Sequence, residues 1–319
     1  MKKGQLLKLS LVASTLMIGL VGCGGGDSGS LPAQGAVSLS FPSNAAVAQP
    51  TIENAKRVKE VVAQDQQKTY SINAVTTSGS QNIAVTMEKV ALATSNIDLP
   101  AYALNETLNQ TLECSNSGTM NLNGSGSEKG GASFTVIFNS CDNDGVVLNG
   151  RVLTTMSNYN QTFGDYTTIT TEYLSDVTAS SSEFTAKIYK GTTEIVQISN
   201  INGYDSANTL KMELSAISEV NAKKSGQEGA IYYFDFSSSQ PKMYQTAGKI
   251  YINNLEAYVD YDTSYDMSKT PFVFGNYGLE SGEARYIMAD GAKVKIVAES
   301  GVAKTYVDAD GDGTYEKSE

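Results

Sequence analysis

Histidine is absent from this 319-residue chain, and so is tryptophan. Without an imidazole, the usual nucleophile triads, histidine-ligated zinc sites and neutral-pH imidazole bases are excluded. Catalysis would need carboxylate pairs, a Ser–Lys dyad or a bound metal, and spacing along a β-rich chain does not say which acids converge. Cysteine is nearly missing, with three residues, none in the Cys-x-x-Cys spacing of a redox centre. Basic charge is scarce as well: 23 Lys and Arg stand against 34 Asp and Glu, a formal net charge of −11. No basic run interleaved with aromatics occurs, and an acidic surface repels phosphate backbones, so nucleic acid is excluded as a partner. What remains is ample for folding, because apolar residues make up 40% of the chain and can fill a sizeable core.

The start of the chain has the layout of a secretory signal. Lys2, Lys3 and Lys8 precede an apolar stretch over 9–21, too short for a span that needs roughly 20 residues. It ends in Leu20-Val21-Gly22-Cys23, which resembles the lipobox of bacterial lipoprotein precursors. The resemblance covers residues 1–23 and implies that 1–22 are removed as a signal peptide. It further implies that the Cys23 sulfur carries a diacylglycerol, that the new amine is acylated, and that the protein is anchored in the cell-envelope membrane. Gly24, where an Asp often retains such proteins at the inner membrane, points to the outer membrane. Removing residues 1–22 takes three lysines and no acid, which moves the formal charge from −11 to −14.

Residues 23–50, rich in Gly, Ser, Ala and Pro and with the single charge Asp27, read as a flexible tether. At 5–6 Å times the square root of its length, its reach is about 30 Å. Gly26-Asp27-Ser28-Gly29 resembles the nucleophile segment of chymotrypsin-like proteases. Its place in the tether and the lack of histidine set that resemblance aside.

The body, 51–319, reads as a single β-rich domain with a possible subdomain boundary near 221–229. Thr51, after Pro50, suits an N-cap, and Ile52, Ala55, Val58 and Val62 fall on one face of a helix over Ile52–Gln67. Alternation then takes over at Ile83–Met87, Val146–Leu148, Ile169–Tyr173, Phe184–Ile188, Leu210–Leu214 and Tyr232–Phe236. Turns are expected at Asp144-Gly145, Lys190-Gly191, Asn202-Gly203 and Gly226–Gly229. Asp290-Gly291, between two alternating runs, is the strongest hairpin signal. The fold class is therefore mainly β: an N-terminal helix followed by a large antiparallel meander, sandwich-like or an open barrel. Pro100–Leu112 suits a strand or a short helix, and both stay open.

With Cys23 taken by lipid, Cys114 and Cys141 form an even pair in an oxidising compartment and are expected to be disulfide-bonded. The Gly/Ser-rich stretch Gly124–Gly131 reads as a hairpin loop that sets Leu122 opposite Phe134 and brings the cysteines together at the open end.

The best cofactor candidate is the C-terminal run Asp308-Ala-Asp310-Gly-Asp312-Gly313-Thr314-Tyr-Glu316-Lys-Ser-Glu319. It resembles an EF-hand-type calcium loop. The resemblance assigns side-chain oxygens to Asp308, Asp310 and Asp312, the sharp turn to Gly313, a carbonyl to Thr314 and further carboxylates to Glu316 and Glu319. A strand-like Val302–Val307 stands where an entering helix belongs, which favours the other reading, an Asp/Gly-rich turn held by Asx bonds.

Eighteen tyrosines read as sheet-forming aromatics or as a platform for sugar or peptide. Three functions follow. The first is a non-catalytic envelope protein binding a partner protein or surface polysaccharide through its sheet body. The second is a carrier of a lipid or other apolar ligand in a curled sheet. The third is a carboxylate- or metal-dependent envelope hydrolase.

Overall fold

Spacing decides the local structure. Ala55, Val58 and Val62 recur at steps of three and four and are all buried, and the Thr51 Oγ1 accepts from the Asn54 backbone N–H at 3.2 Å, as an N-cap should. The computed structural model describes residues 39–70 and 108–317, except 128–130, 144, 161–164, 183–184, 202–206, 236–237, 239, 241, 276–277 and 301. A short strand β1 (Ala46–Val47) precedes helix α1 (Ile52–Tyr70), which runs three residues past the expected end. Ile52, expected on the buried face, is exposed; it sits in the first turn, ahead of the three residues that pack. After α1 the described chain is strands joined by turns, mainly β as alternation predicts. The run Ile83–Met87 lies outside the described residues.

The described residues group into two compact units, with one of the changes of unit falling between Ala222 and Lys223. In the first, β2 (Leu108–Glu113), β3 (Ser117–Ser127), β4 (Gly131–Asn143) and β5 (Val146–Asn160) form an antiparallel meander. The upper half of β5 pairs with β6 (Asp165–Tyr173), and its start, 147–149, pairs with β7 (Val177–Ser180). Outside these lie β9 (Thr193–Ile201) beside β6 and β8 (Thr185–Ile188) beside β7. Leu122, Phe134, Val136, Leu148 and Val152 fill the inner face. Strand β10 (Ala207–Val220) gives 218–220 to this unit, paired with β8, and 208–217 to the second.

The second unit holds β1, α1, residues 208–217 of β10 and the described chain from Lys223 onward. Strand β11 (Lys223–Asp235) pairs with β12 (Lys242–Ile252). One end of β12 pairs with β13 (Ala257–Tyr261) and the other with β14 (Phe272–Gly275). Both short strands then pair with β15 (Gly278–Ile287), which leads through β16 (Lys293–Glu299) and β17 (Val302–Asp308) to β18 (Glu316–Lys317). The Asp290-Gly291 hairpin forms where expected, with Asp290 at φ 59° and Gly291 at φ 79°.

Three expectations are corrected. Gly226–Gly229 is not a turn but part of β11; the turn is Asn221-Ala222, both left-handed at φ 48° and 63°, the conformation a two-residue hairpin needs. Gly124–Gly131 is not all loop either. Both strands run on to Ser127 and Gly131, because Gly124 lies opposite Phe134, where a Cβ would come within 2.5 Å of the ring. The tether, expected through residue 50, ends earlier. Phe41 stacks on Tyr251 with ring centroids 4.8 Å apart, and β1 pairs in parallel with β13.

Candidate functional site

Cys23 and its lipobox lie outside the described residues. Cys114 and Cys141 are within bonding distance, their Cα atoms 5.4 Å apart. The register that brings them there differs by two residues from the expected one: Leu122 opposes Val136, and Met120 opposes Phe138. Continuing that register puts Gly118 beside Ser140. Gly118 at φ 78° and Ser140 at φ 47° mark bulges in β3 and β4, and the β4 bulge advances Cys141 toward the β2–β3 turn that carries Cys114. The Asn149 carboxamide oxygen fixes this bulge by accepting from the Ser140 backbone N–H at 2.8 Å. The bridge staples the β2–β3 turn to β4.

The C-terminal loop begins where β17 ends. Asp308 is buried, and its two carboxylate oxygens accept from the backbone N–H groups of Gly311 (2.9 Å) and Gly313 (3.0 Å). Asp310 accepts from Asp312 N–H at 3.2 Å, and Asp312 from Thr314 N–H at 2.7 Å. The Asx bonds of the turn reading are therefore formed. One carboxylate oxygen from each of Asp308, Asp310 and Asp312 also lies within 4.8 Å of the others, a convergence able to hold a hard cation. Strand β17 occupies the place of an entering helix, as the sequence indicates. Glu316 begins β18, with its backbone opposite Val307, and Glu319 lies outside the described residues.

A second cluster, which sequence reasoning missed, surrounds that loop on the face of β15 and β16 that carries Arg285 and Lys295. Asp262, just past β13, is almost wholly buried. One carboxylate oxygen accepts from the Ser264 N–H at 3.0 Å and from its hydroxyl at 2.5 Å; the other lies 3.0 Å from Lys293 Nζ. Burial alone would raise the Asp262 carboxyl, but the Ser264 hydroxyl and Lys293 ammonium outweigh it and hold it below the usual value. Arg285 lies over the Tyr265 ring at 4.0 Å and binds Glu283 at 2.5 Å. Tyr315, returning from the acidic loop, lies against Lys295 at 4.3 Å and Arg285 at 5.7 Å, and burial raises its phenol despite the opposing pull of Arg285.

Beneath Asp262 and Tyr265, Met267 is buried, with its sulfur accepting from the Gln245 backbone N–H at 3.2 Å. The buried Gln245 carboxamide accepts from the Tyr286 hydroxyl at 2.8 Å and donates to the Ala247 carbonyl at 2.9 Å. Part of this cluster carried a signal: Glu283-x-Arg285 and Lys293-x-Lys295 alternate with buried residues. Nothing in the spacing announces the return of Tyr315 over that face. Chemically the cluster is a mutually neutralising network, with each named acid held by a cation or by hydroxyl and amide donors.

Comparison with known proteins returns no match: no family model, characterised sequence or solved structure aligns with the chain.

Proposed function

We propose that this chain is a lipid-anchored cell-envelope protein that works by binding, without catalysis, and contacts a partner or surface polymer through its β-sheet body. The observation that carries the reading is the filling of the inner faces. Leu122, Val136 and Val152 in the first unit, and Ile250, Val259, Phe272 and Val294 in the second, are 0–1% exposed. Glycines sit where the strands pass too closely for a side chain: a Cβ on Gly248 or Gly282 would come within 2.5 Å of a neighbouring backbone atom. With those faces packed, contact with other molecules falls to outer faces and loops, which argues against an apolar ligand held inside a curled sheet. The buried Asp262 is engaged by Ser264 and Lys293, which suits a structural acid better than a proton-transferring one.

The test has two arms. Intact-mass analysis of native protein should find a chain beginning at an acylated Cys23; an unprocessed or unacylated amino terminus overturns the anchor. Native mass spectrometry should find no lipid retained beyond the covalent acyl chains, and a stoichiometric co-purified lipid would restore the carrier reading.

Calcium enters this reading only at Asp308, Asp310 and Asp312, as a structural ion. Millimolar calcium should raise the melting temperature, with magnesium inert and chelator reversing the shift. Absence of a shift would leave the loop as a hydrogen-bonded turn.

A further inference from the structure

The link from β13 to β14 takes ten residues, 262–271, to pass five positions of β12, 244–248, whereas the link from β6 to β7 takes three, 174–176, to pass two of β5, 150–151. Ten exceed what the topology requires, and the excess is ordered. Besides Asp262 holding Ser264, Asp266 accepts from the Ser268 N–H at 3.2 Å and from its hydroxyl at 2.5 Å. The Tyr261 hydroxyl donates to the Tyr265 carbonyl at 3.1 Å, Tyr265 and Thr270 share a hydrogen bond between their hydroxyls, and the Thr270 carbonyl accepts from Glu283 N–H at 3.0 Å.

The loop turns a particular chemistry outward. Thr263, Ser264, Asp266, Ser268, Lys269 and Thr270 are exposed, while Met267 is buried and Tyr265 and Pro271 are half-buried. A serine hydroxyl whose proton is donated to a carboxylate keeps lone pairs as acceptors. Ser264 and Ser268 are both in that state, and the Asp266 carboxylate adds a further acceptor. Asp266 and Lys269 lie 3.6 Å apart and offset each other's charge. A surface rich in acceptors, nearly neutral and with only polar side chains fully exposed is unlike the apolar and aromatic centre of a protein interface. It fits a neutral partner that donates many hydrogen bonds, which is the chemistry of a polyol chain.

We propose that loop 262–271 is a recognition loop for a glycan strand, whose hydroxyls donate to Ser264, Ser268 and Asp266. This rests on the envelope-binding reading and assigns that reading a site and a partner class. Single hydrogen bonds to sugar contribute little net affinity in water. A loop already ordered by its own bonds avoids the entropy loss that would otherwise cancel them.

Full chain in detergent, sedimented with purified peptidoglycan sacculi, tests the assignment. The protein should co-sediment and be released when a muramidase cuts the glycan. Ser264→Ala/Ser268→Ala should weaken binding about tenfold, the loss of two modest hydrogen bonds. Thr263→Glu, at an exposed position, should weaken it at least about fivefold with an unchanged melting temperature, since it crowds the surface and breaks none of the bonds named above. Binding of both variants at wild-type strength would overturn the loop assignment and leave the envelope-binding reading standing. Wild-type protein remaining in the supernatant would overturn the glycan partner. Release by a peptide-cleaving amidase in place of the muramidase would assign a peptide partner and overturn it as well.

Discussion

Both units break a returning strand beside a long one, and they close the break differently. In the first, β6 gives way to β7 over residues 174–176 next to β5. The Arg151 carbonyl accepts from Leu174 N–H at 3.0 Å, and its N–H donates to the Ser175 hydroxyl at 2.9 Å. Gly150, at φ 129°, lets the chain pass so closely that a Cβ there would lie 2.5 Å from the Asp176 carbonyl. In the second, β13 and β14 stand apart beside β12, and the gap is plugged by Met267 over Gln245. Each break is tied by an aspartate to a lysine on another strand: Asp176 to Lys187 at 2.6 Å, and Asp262 to Lys293 at 3.0 Å. Burial would raise both carboxyls, and in both the lysine and hydrogen-bond donors more than reverse it. The Asp176 side chain is 41% exposed and that of Asp262 is 2% exposed, so the same device should be weak in one unit and strong in the other.

Stability measurements sharpen that contrast, beginning with the staple peculiar to the first unit. Replacing Cys114 and Cys141 by alanine opens a loop with a sequence separation of 27 and should cost about 3–4 kcal/mol in the chain-entropy account. Amide exchange should report the loss in β3 and β4 and leave β15 and β16 unchanged. Next, Asp262→Ala strands Lys293 and the Ser264 donors and should cost about 2–4 kcal/mol. Met267→Ala opens a cavity over Gln245 and should cost about 2–4 kcal/mol. Urea titration read by exchange in the second unit checks both. Asp176→Ala, at a half-exposed pair, should cost only about 0.5–1 kcal/mol; a cost equal to that of Asp262→Ala would break the comparison.

The smallest effect is in pH. Both aspartates sit below the ordinary carboxyl value of 3.8 when folded, so their contribution is complete above that value and is lost as pH falls through the folded one. Wild-type protein should therefore lose more stability between pH 6 and pH 3 than Asp262→Asn does. Equal acid sensitivity would remove Asp262 as a source of the pH dependence.

Alternation made the strands legible, because one face of each is buried and the period of two is enforced residue by residue. The helix face was legible for the same reason, apart from Ile52, which precedes the packed turns. Register was harder to read: Leu122 pairs with Val136 because Gly124 continues as strand opposite Phe134, and a glycine-rich stretch looks like loop until the ring that fills its place is known. Asn221-Ala222 concealed the real turn, since alanine at positive φ is an uncommon choice. In the candidate sites, Asp308, Asp310 and Asp312 are adjacent in sequence, and their convergence could be anticipated. Asp262, Arg285, Lys293 and Tyr315 come from four separate segments and meet only because of the strand order.

The docking of Phe41 and β1 has a mechanical consequence. Ala46 N–H donates to the Glu256 carbonyl at 3.0 Å, Ala48 N–H to the Tyr258 carbonyl at 2.7 Å, and Ala289 N–H to the Ala48 carbonyl at 2.9 Å. A pull applied upstream of Ser40 meets the stacked Phe41–Tyr251 rings first. It then loads these three bonds, and only afterwards α1. The second unit would thus carry tension through its own sheet, with the strap acting as a strain relief for the helix behind it.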